Sequence, residues 1–216
     1  MCELKDLWET EHGSLMWGMF VPGKSDHDRC HVRQISTQCI LEGRRIPETW
    51  PQSHQIGPDG VEIDNTYLEI GHLINQLIKG NINNIWYVMS PVIIHDSSIL
   101  QDLRKIVLEN PSRAPYHSLK GMAISQLKDE IRRPRLSGGK GYRTAARTAL
   151  FGSKLLSRWE FDFNVPESIV NLEISREMVE TTISALDDAY DSSPYPDKPD
   201  DEPFRQFLYK LRMDDI

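Results

Sequence analysis

The chain has 216 residues, 25 basic and 32 acidic side chains for a formal net charge of −7, and a hydrophobic fraction of 39%. Its mean hydropathy of −0.47, with no apolar run near the roughly 20 residues of a membrane helix, excludes a bilayer-spanning protein, so no membrane partner is expected. The overall acidity excludes a protein that coats nucleic acid through general basicity. The charge is segregated, however. Residues 1–103 hold 7 basic and 14 acidic groups, residues 104–158 hold 13 and 3, and residues 159–216 hold 5 and 15. Such an order can hold cations in one part and phosphates in another. The first 14 residues have neither a basic n-region nor an apolar h-region, so no signal peptide is expected. Three cysteines, Cys2, Cys30 and Cys39, lack framework spacing and suit a reducing, cytoplasmic setting.

In chain order, Leu7-Trp8 opens a strand-like run into Glu11-His12-Gly13-Ser14, and Pro22-Gly23 marks a turn. Residues 29–41 read as strand, with Cys30 and Val32 alternating with polar neighbours before the apolar Cys39-Ile40-Leu41. Residues 43–61 read as a loop or hairpin insertion. Val61-Glu62-Ile63-Asp64 alternates like a strand, and Asn65-Thr66 is placed to cap a helix. Leu68, Ile70, Leu73, Ile74, Leu77 and Ile78 then recur at helical spacing over 68–79, with a stop at Gly80-Asn81.

The second half predicts helices over 97–108, 118–132, 142–158 and 168–190, with a break at Pro134-Arg135-Leu136-Ser137-Gly138-Gly139. Residues 191–203 combine prolines with acidic groups and read as a mobile linker. Residues 204–213 predict a short amphipathic helix that docks back or meets a protein partner. The expected class is α+β. A mixed-sheet domain over 1–96 precedes a helical domain over 97–190, then the 191–203 linker and the 204–216 terminal helix.

The chemistry concentrates in Gly13-Ser14 and Asp26-His27-Asp28. Residues i and i+2 of a strand share a face, so Asp26 and Asp28 present two carboxylates side by side. Such anions repel unless they share a proton or a cation, and hard divalent cations favour this oxygen set. The small Gly-Ser pair lets backbone N–H groups approach a phosphate. Glu62 and Asp64 form a second i, i+2 pair, and a third ligand can come from either. Together they suit a two-metal site for in-line phosphoryl or nucleotidyl transfer. The blander alternative is a solvated Asp-x-Asp turn.

The segment GSLMWGMFVPGKSDHD resembles the active-site signature of the DNA polymerase-β-type nucleotidyltransferase superfamily: Gly-Ser, a short helix, then Asp-x-Asp on a strand. More narrowly, Glu11, Gly13, Ser14, Trp17, Gly18, Pro22, Ser25, Asp26 and Asp28 are similar to the YcgL-like, RNA-ligase-associated predicted nucleotidyltransferases. The similarity continues through Asp64, residues 68–79, Gly80-Asn81 and Ser90-Pro91, and thins around Tyr116-His117, Lys140, Arg147 and Trp159. It implies a polymerase-β-like domain and two Mg²⁺, with Mn²⁺ as substitute, held by Asp26, Asp28 and Asp64, Glu62 being the fallback third carboxylate. It further implies an NTP, ATP included, bridging Ser14 and the metals. An acceptor attacks the α-phosphorus and pyrophosphate leaves, the third carboxylate assisting deprotonation. Acceptors left open are an RNA end, a small molecule or a protein. The rival expectations are a catalytically degenerate nucleotide- or RNA-binding module and a regulatory, antitoxin-like protein nucleotidyltransferase. His27 stands where the family carries an apolar or aromatic residue.

Lys140, Arg143 and Arg147, at i, i+3 and i+7, share one helical face. That face reads either as a binding wall for triphosphate or RNA, where Arg gives bidentate phosphate contacts, or as a solvated basic stripe. Arg132, Arg133 and Arg135 likewise read as RNA contacts or as a solubilising loop. Ser137-Gly138-Gly139-Lys140-Gly141 lacks the P-loop spacing. Cys30, His31 and Cys39 match no common zinc spacing and are expected to be structural. Trp17 and Trp159 are expected in the core, and His12 and His27 beside the metal site without a catalytic role.

Overall fold

In the computed structural model of the chain, residues 3–58, 60–133, 139–170 and 174–216 are described. Cys2 and most of the expected break, including Arg135 and Gly138, lie outside them. The strands are β1 (Leu4–His12), β2 (His27–Ile35), β3 (Thr49–Ile56), β4 (Glu62–Glu69) and β5 (Ile93–His95). The helices before residue 110 are α1 (Gly13–Met16), α2 (Thr37–Leu41), α3 (Ile70–Ile78), α4 (Ile82–Met89) and α5 (Ser98–Glu109). Those after it are α6 (Pro115–Arg132), α7 (Lys140–Arg158), α8 (Glu167–Val170), α9 (Arg176–Asp191) and α10 (Glu202–Met213). A mixed sheet-and-helix N-terminal region is thus followed by a largely helical C-terminal region. No helix among the described residues is long and apolar enough to cross a membrane.

The chain forms two compact units: Met1–Lys79, Asn83–Asn110 and Asp200–Ile216 make the first, and Gly80–Ile82 with Pro111–Pro199 the second. The first unit is built on a five-stranded sheet of order β3-β4-β2-β1-β5. β2 and β4 run parallel, and the other pairs are antiparallel. Alternation positions β2: Cys30 and Val32 are wholly buried, while Arg29, His31 and Arg33 between them stay half-exposed. On β1 the consecutive Leu7 and Trp8 are both buried, because the register shifts between Asp6 and Trp8. Helix α3 buries Ile70, Leu73, Ile74 and Leu77 along one stripe, each contributing roughly 1.5–3 kcal/mol of burial.

Two expectations change here, and one open alternative is decided. The strand anticipated through Leu41 ends at Ile35 and turns into α2. The turn is made by contacts far along the chain. The Thr37 N–H donates to Asp215 Oδ2 at 2.6 Å, and its hydroxyl donates to the Arg212 carbonyl at 3.1 Å. The helix anticipated from Leu68 starts at Ile70, and β4 takes Asn65, Thr66 and Leu68 into the sheet between β2 and β3. Two flanking ladders outweigh a local cap, and Glu69 caps α3 instead, accepting from the Gly71 N–H. Residues 43–61 resolve into a hairpin, with β3 pairing antiparallel on β4.

Helix α10 docks back on its own unit. Phe204 is buried, and the Arg212 guanidinium donates to the Ile35 carbonyl at 2.7 Å and to buried Glu69.

In the second unit α7 packs against α6 and α9. The core is Leu119, Ala123, Ala145, Ala149, Leu155, Val179 and Leu186, all fully buried. A Cβ on Gly152 would lie 2.7 Å from Leu186 Cδ1 and 3.0 Å from Leu119 Cδ1, so a missing side chain lets the three helices close. Glu130, itself 2% exposed, accepts from the Gly139 and Gly141 N–H groups at 3.1 and 2.8 Å. A carboxylate from α6 thereby satisfies donors at the start of α7. The helix anticipated over 168–190 is two, α8 and α9, the latter capped by Ser175. The proline-rich acidic stretch, read as mobile, is tied down. Arg113 donates its N–H to the Pro196 carbonyl at 2.8 Å, pairs with Asp197 and lies over the Tyr190 ring. The Ser193 hydroxyl donates to the Leu156 carbonyl at 2.7 Å. Its anchors are polar, which apolar content alone does not reveal.

Candidate metal centre

The parallel pairing of β2 and β4 sets Asp28 directly opposite Asp64. β1 sets His12 opposite Asp28, and β3 sets His54 opposite Asp64. Residues in register on neighbouring strands share a face, so His12, Asp28, Asp64 and His54 make one row across four strands. Asp26 stands one residue before β2. Ligand oxygens of Asp26, Asp28 and Asp64 lie within 4.8 Å of one another. At that separation the carboxylates repel one another, and a shared divalent cation is the ligand that relieves it.

Gly13 is required at the corner between β1 and α1. Its φ is +62°, and a Cβ there would lie 1.8 Å from Asp28 Oδ2. Any other residue would displace the carboxylate. The next residue, Ser14, has a buried Oγ without a hydrogen-bond partner among the described residues. A polar oxygen left unsatisfied beside a carboxylate cradle is a natural place for an incoming polar ligand. The all-oxygen donor set, the close seat over Gly13 and the orphaned hydroxyl fit hard divalent cations bearing an anionic ligand.

Burial holds His12 down to about 4, against a smaller upward pull from the Arg29 backbone. Its imidazole is therefore neutral near pH 7 and brings no positive charge to Asp28. Tyr87, whose ring is 4.8 Å from that of His12, is pushed up chiefly by burial, with Asp28 adding to it. His27 turns to the opposite face of the sheet. There its Nδ1 bonds buried Glu11 and its ring lies 5.0 Å from Phe20. The Glu11 carbonyl accepts from the wholly buried Ser90 hydroxyl, so both the side chain and the carbonyl of Glu11 find partners within the protein.

Glu62 groups with His54 and Asp64, not with Asp26 and Asp28. His54 donates to Asp64 Oδ1, and its Nδ1 lies 4.0 Å from Glu62 Oε1. The hydrogen bond and the charge of Asp64 raise its pKa. His54 is the residue that sequence reading missed. Its signal was the hairpin itself: pairing Ile56 with Glu62 across the turn brings 54 opposite 64 by counting back two on each strand.

Lys140, Arg143 and Arg147 lie on α7 of the second unit. Lys140 is exposed, while Arg143 and Arg147 are half-buried, and the Arg143 Nε has no hydrogen-bond partner among the described residues. The stripe is thus not simply solvated. Trp17 is buried edge-on against Trp86, 5.3 Å between centroids. Trp159 is only half-buried, closing α7 at φ +53° against Phe161 and Tyr195. Cys30 is a buried free thiol, pushed up by burial, and Cys39 is buried as well. Neither belongs to a metal-capable group among the described residues.

No family model and no curated protein matches the chain. Among solved structures it is similar to the nucleotidyltransferase-like protein from Exiguobacterium sibiricum 255-15, at 10% identity and a TM-score of 0.34, over 97% of this chain and 74% of that one. The match is weak and partial.

Proposed function

We propose that the chain is a metal-dependent nucleotidyltransferase of the DNA polymerase-β type, moving an NMP from an NTP to an acceptor with release of pyrophosphate. The carrying observation is the convergence of Asp26, Asp28 and Asp64 beside the Gly13-Ser14 corner. Asp26, Asp28 and Asp64 would hold two Mg²⁺, or Mn²⁺ in their place. Bound there, the cations supply charge neutralisation of the triphosphate and of the departing pyrophosphate. Gly13 keeps the approach to Asp28 open, and the unsatisfied Ser14 Oγ donates to a phosphate oxygen. Asp64 accepts the acceptor's hydroxyl proton as the new oxygen–phosphorus bond forms and the bond to pyrophosphate breaks. Neutral His12 brings no positive charge to compete with the cation at Asp28. The role proposed for Lys140, Arg143 and Arg147 is phosphate binding by that face of α7. Kinship with the RNA-ligase-associated branch would make an RNA end the acceptor.

The test is incubation of the chain with each labelled NTP and Mg²⁺ or Mn²⁺, with RNA and protein acceptors. Transfer is expected, and Asp26→Asn or Asp28→Asn should reduce it by about 10³-fold or more, the scale of several kcal/mol of lost transition-state stabilisation. NTP binding without transfer to any acceptor would replace the enzyme reading with a nucleotide-binding module.

A further inference from the structure

Asp64 belongs to two donor groups of different chemical character. With Asp26 and Asp28 it completes an all-carboxylate set; with His54 and Glu62 it completes a set containing an imidazole, again with ligand atoms within 4.8 Å of one another. The second set is carried by one hairpin. β3 and β4 pair in register from Ile56–Glu62 to Ser53–Asn65, and the connection is closed by the Gly57 N–H donating to the Val61 carbonyl at 2.8 Å. Glu62 and Asp64, two apart on β4, share a face, and His54 lies opposite Asp64 on the neighbouring strand. Pairing fixes all three backbones before any ligand arrives. His54 is 62% and Glu62 58% exposed, so a hydrated cation reaches them without opening the core.

Donor type decides which cation this is. Mg²⁺ and Ca²⁺ take oxygen ligands, whereas one imidazole nitrogen with two carboxylates suits the borderline ions, Zn²⁺ foremost. We propose that the β3–β4 hairpin binds a Zn²⁺-type transition-metal cation on His54, Glu62 and Asp64, separate in chemistry from the all-carboxylate group across the sheet. The cation takes the place of the proton now bridging His54 and Asp64, and water completes its coordination. Because Asp64 serves both groups, occupation of the hairpin restrains that carboxylate.

The test uses Co²⁺ as a spectroscopic stand-in for Zn²⁺, titrated into the full chain with Mg²⁺ in excess to cover the all-carboxylate group. Visible absorption follows binding, and nitrogen-15 NMR of the imidazoles shows whether His54 is ligated. The expected result is one equivalent of Co²⁺ with a displaced His54 signal, competed out by Zn²⁺. His54→Ala and Glu62→Gln should each weaken it at least about tenfold, the lower figure for disturbing even an outer partner of a metal site. Asp26→Asn and Asp28→Asn should leave it in place. Three results would overturn the proposal: no binding, an affinity unmoved by His54→Ala, or loss on Asp28→Asn with the His54 signal untouched. His54 and Glu62 are surface residues, so these variants keep the fold, and thermal melting checks that they do. The titration reads cation binding without a nucleotide, so its failure is distinct from failure of the transfer assay.

Discussion

The sheet unit buries Thr10, Glu11, Gln34, Asn65, Glu69 and Ser90, whereas the helical unit fills its interior with Ala145, Ala149, Leu155, Leu156, Val179 and Leu186. Buried polar groups cost stability unless they are bonded, and several of those in the sheet unit are tied to particular partners. The Thr10 hydroxyl donates to the Tyr87 carbonyl at 2.8 Å, His31 bonds Asn65 at 2.8 Å, and Glu69 joins the cap of α3 to Arg212. Such bonds set registers and corners, which a carboxylate row needs. Close-packed apolar helices need only complementary volume. One unit is thus built to orient groups and the other to fill space, with Glu130 the charged exception in the second.

That contrast can be broken by mutation. The largest expected effect is on the sheet side: Asp28→Asn should cut label transfer by about 10³-fold while leaving the melting temperature near that of the parent. A large fall in melting temperature would show that Asp28 holds the fold together and is not free for chemistry. The mirror image is Leu155→Ala in the helical unit. It should cost about 2–5 kcal/mol by emptying a fully packed site, read as a lower midpoint in urea, with Co²⁺ binding at the hairpin unchanged. Glu130→Ala leaves the first N–H groups of α7 unsatisfied and should cost about 1–3 kcal/mol, seen as faster amide exchange at Gly139 and Gly141. Were that exchange unaltered, Glu130 would not be what satisfies those donors.

The smallest effect is acidic. The Lys154 ammonium, followed by the Asn164 N–H, holds the Asp162 carboxyl below its usual range. A folded-state pKa below the unfolded value gives stability that is present above about pH 4 and lost as pH falls further. Screening at the partly exposed Lys154 keeps this under about 1 kcal/mol. Lys154→Met should flatten the acid limb of a melting-temperature profile between pH 5 and roughly 3.

Much of this was legible along the chain. The stripe Ile70, Leu73, Ile74, Leu77 reads as a helix wherever it is placed, because 3.6-residue periodicity is local. Asp26 and Asp28 read as a pair because a two-residue period is local too. Asn65-Thr66 reads as a cap by the same local logic, yet it lies in a strand, since β2 and β3 on either side supply backbone partners that no neighbour in sequence announces. The bend at Ser36–Thr37 was illegible for a related reason: its partners, Arg212 and Asp215, are more than 170 residues away. Of the row His12–Asp28–Asp64–His54, the two carboxylates were anticipated as ligands and His12 as their neighbour, whereas His54 was not, because the loop-like composition of 43–61 conceals a strand.

Residue type and short-range spacing were enough to name the longer amphipathic helices, the Gly13-Ser14 corner and the carboxylates, since each depends on geometry within a few residues. Strand pairing set Asp64 opposite Asp28, brought His54 beside Asp64 and turned His27 onto Glu11, while polar contacts between distant loops tied the acidic stretch to Arg113. Those outcomes depend on register and on contacts between distant segments, whose energies are settled only when the backbone closes its hydrogen bonds and the core excludes water.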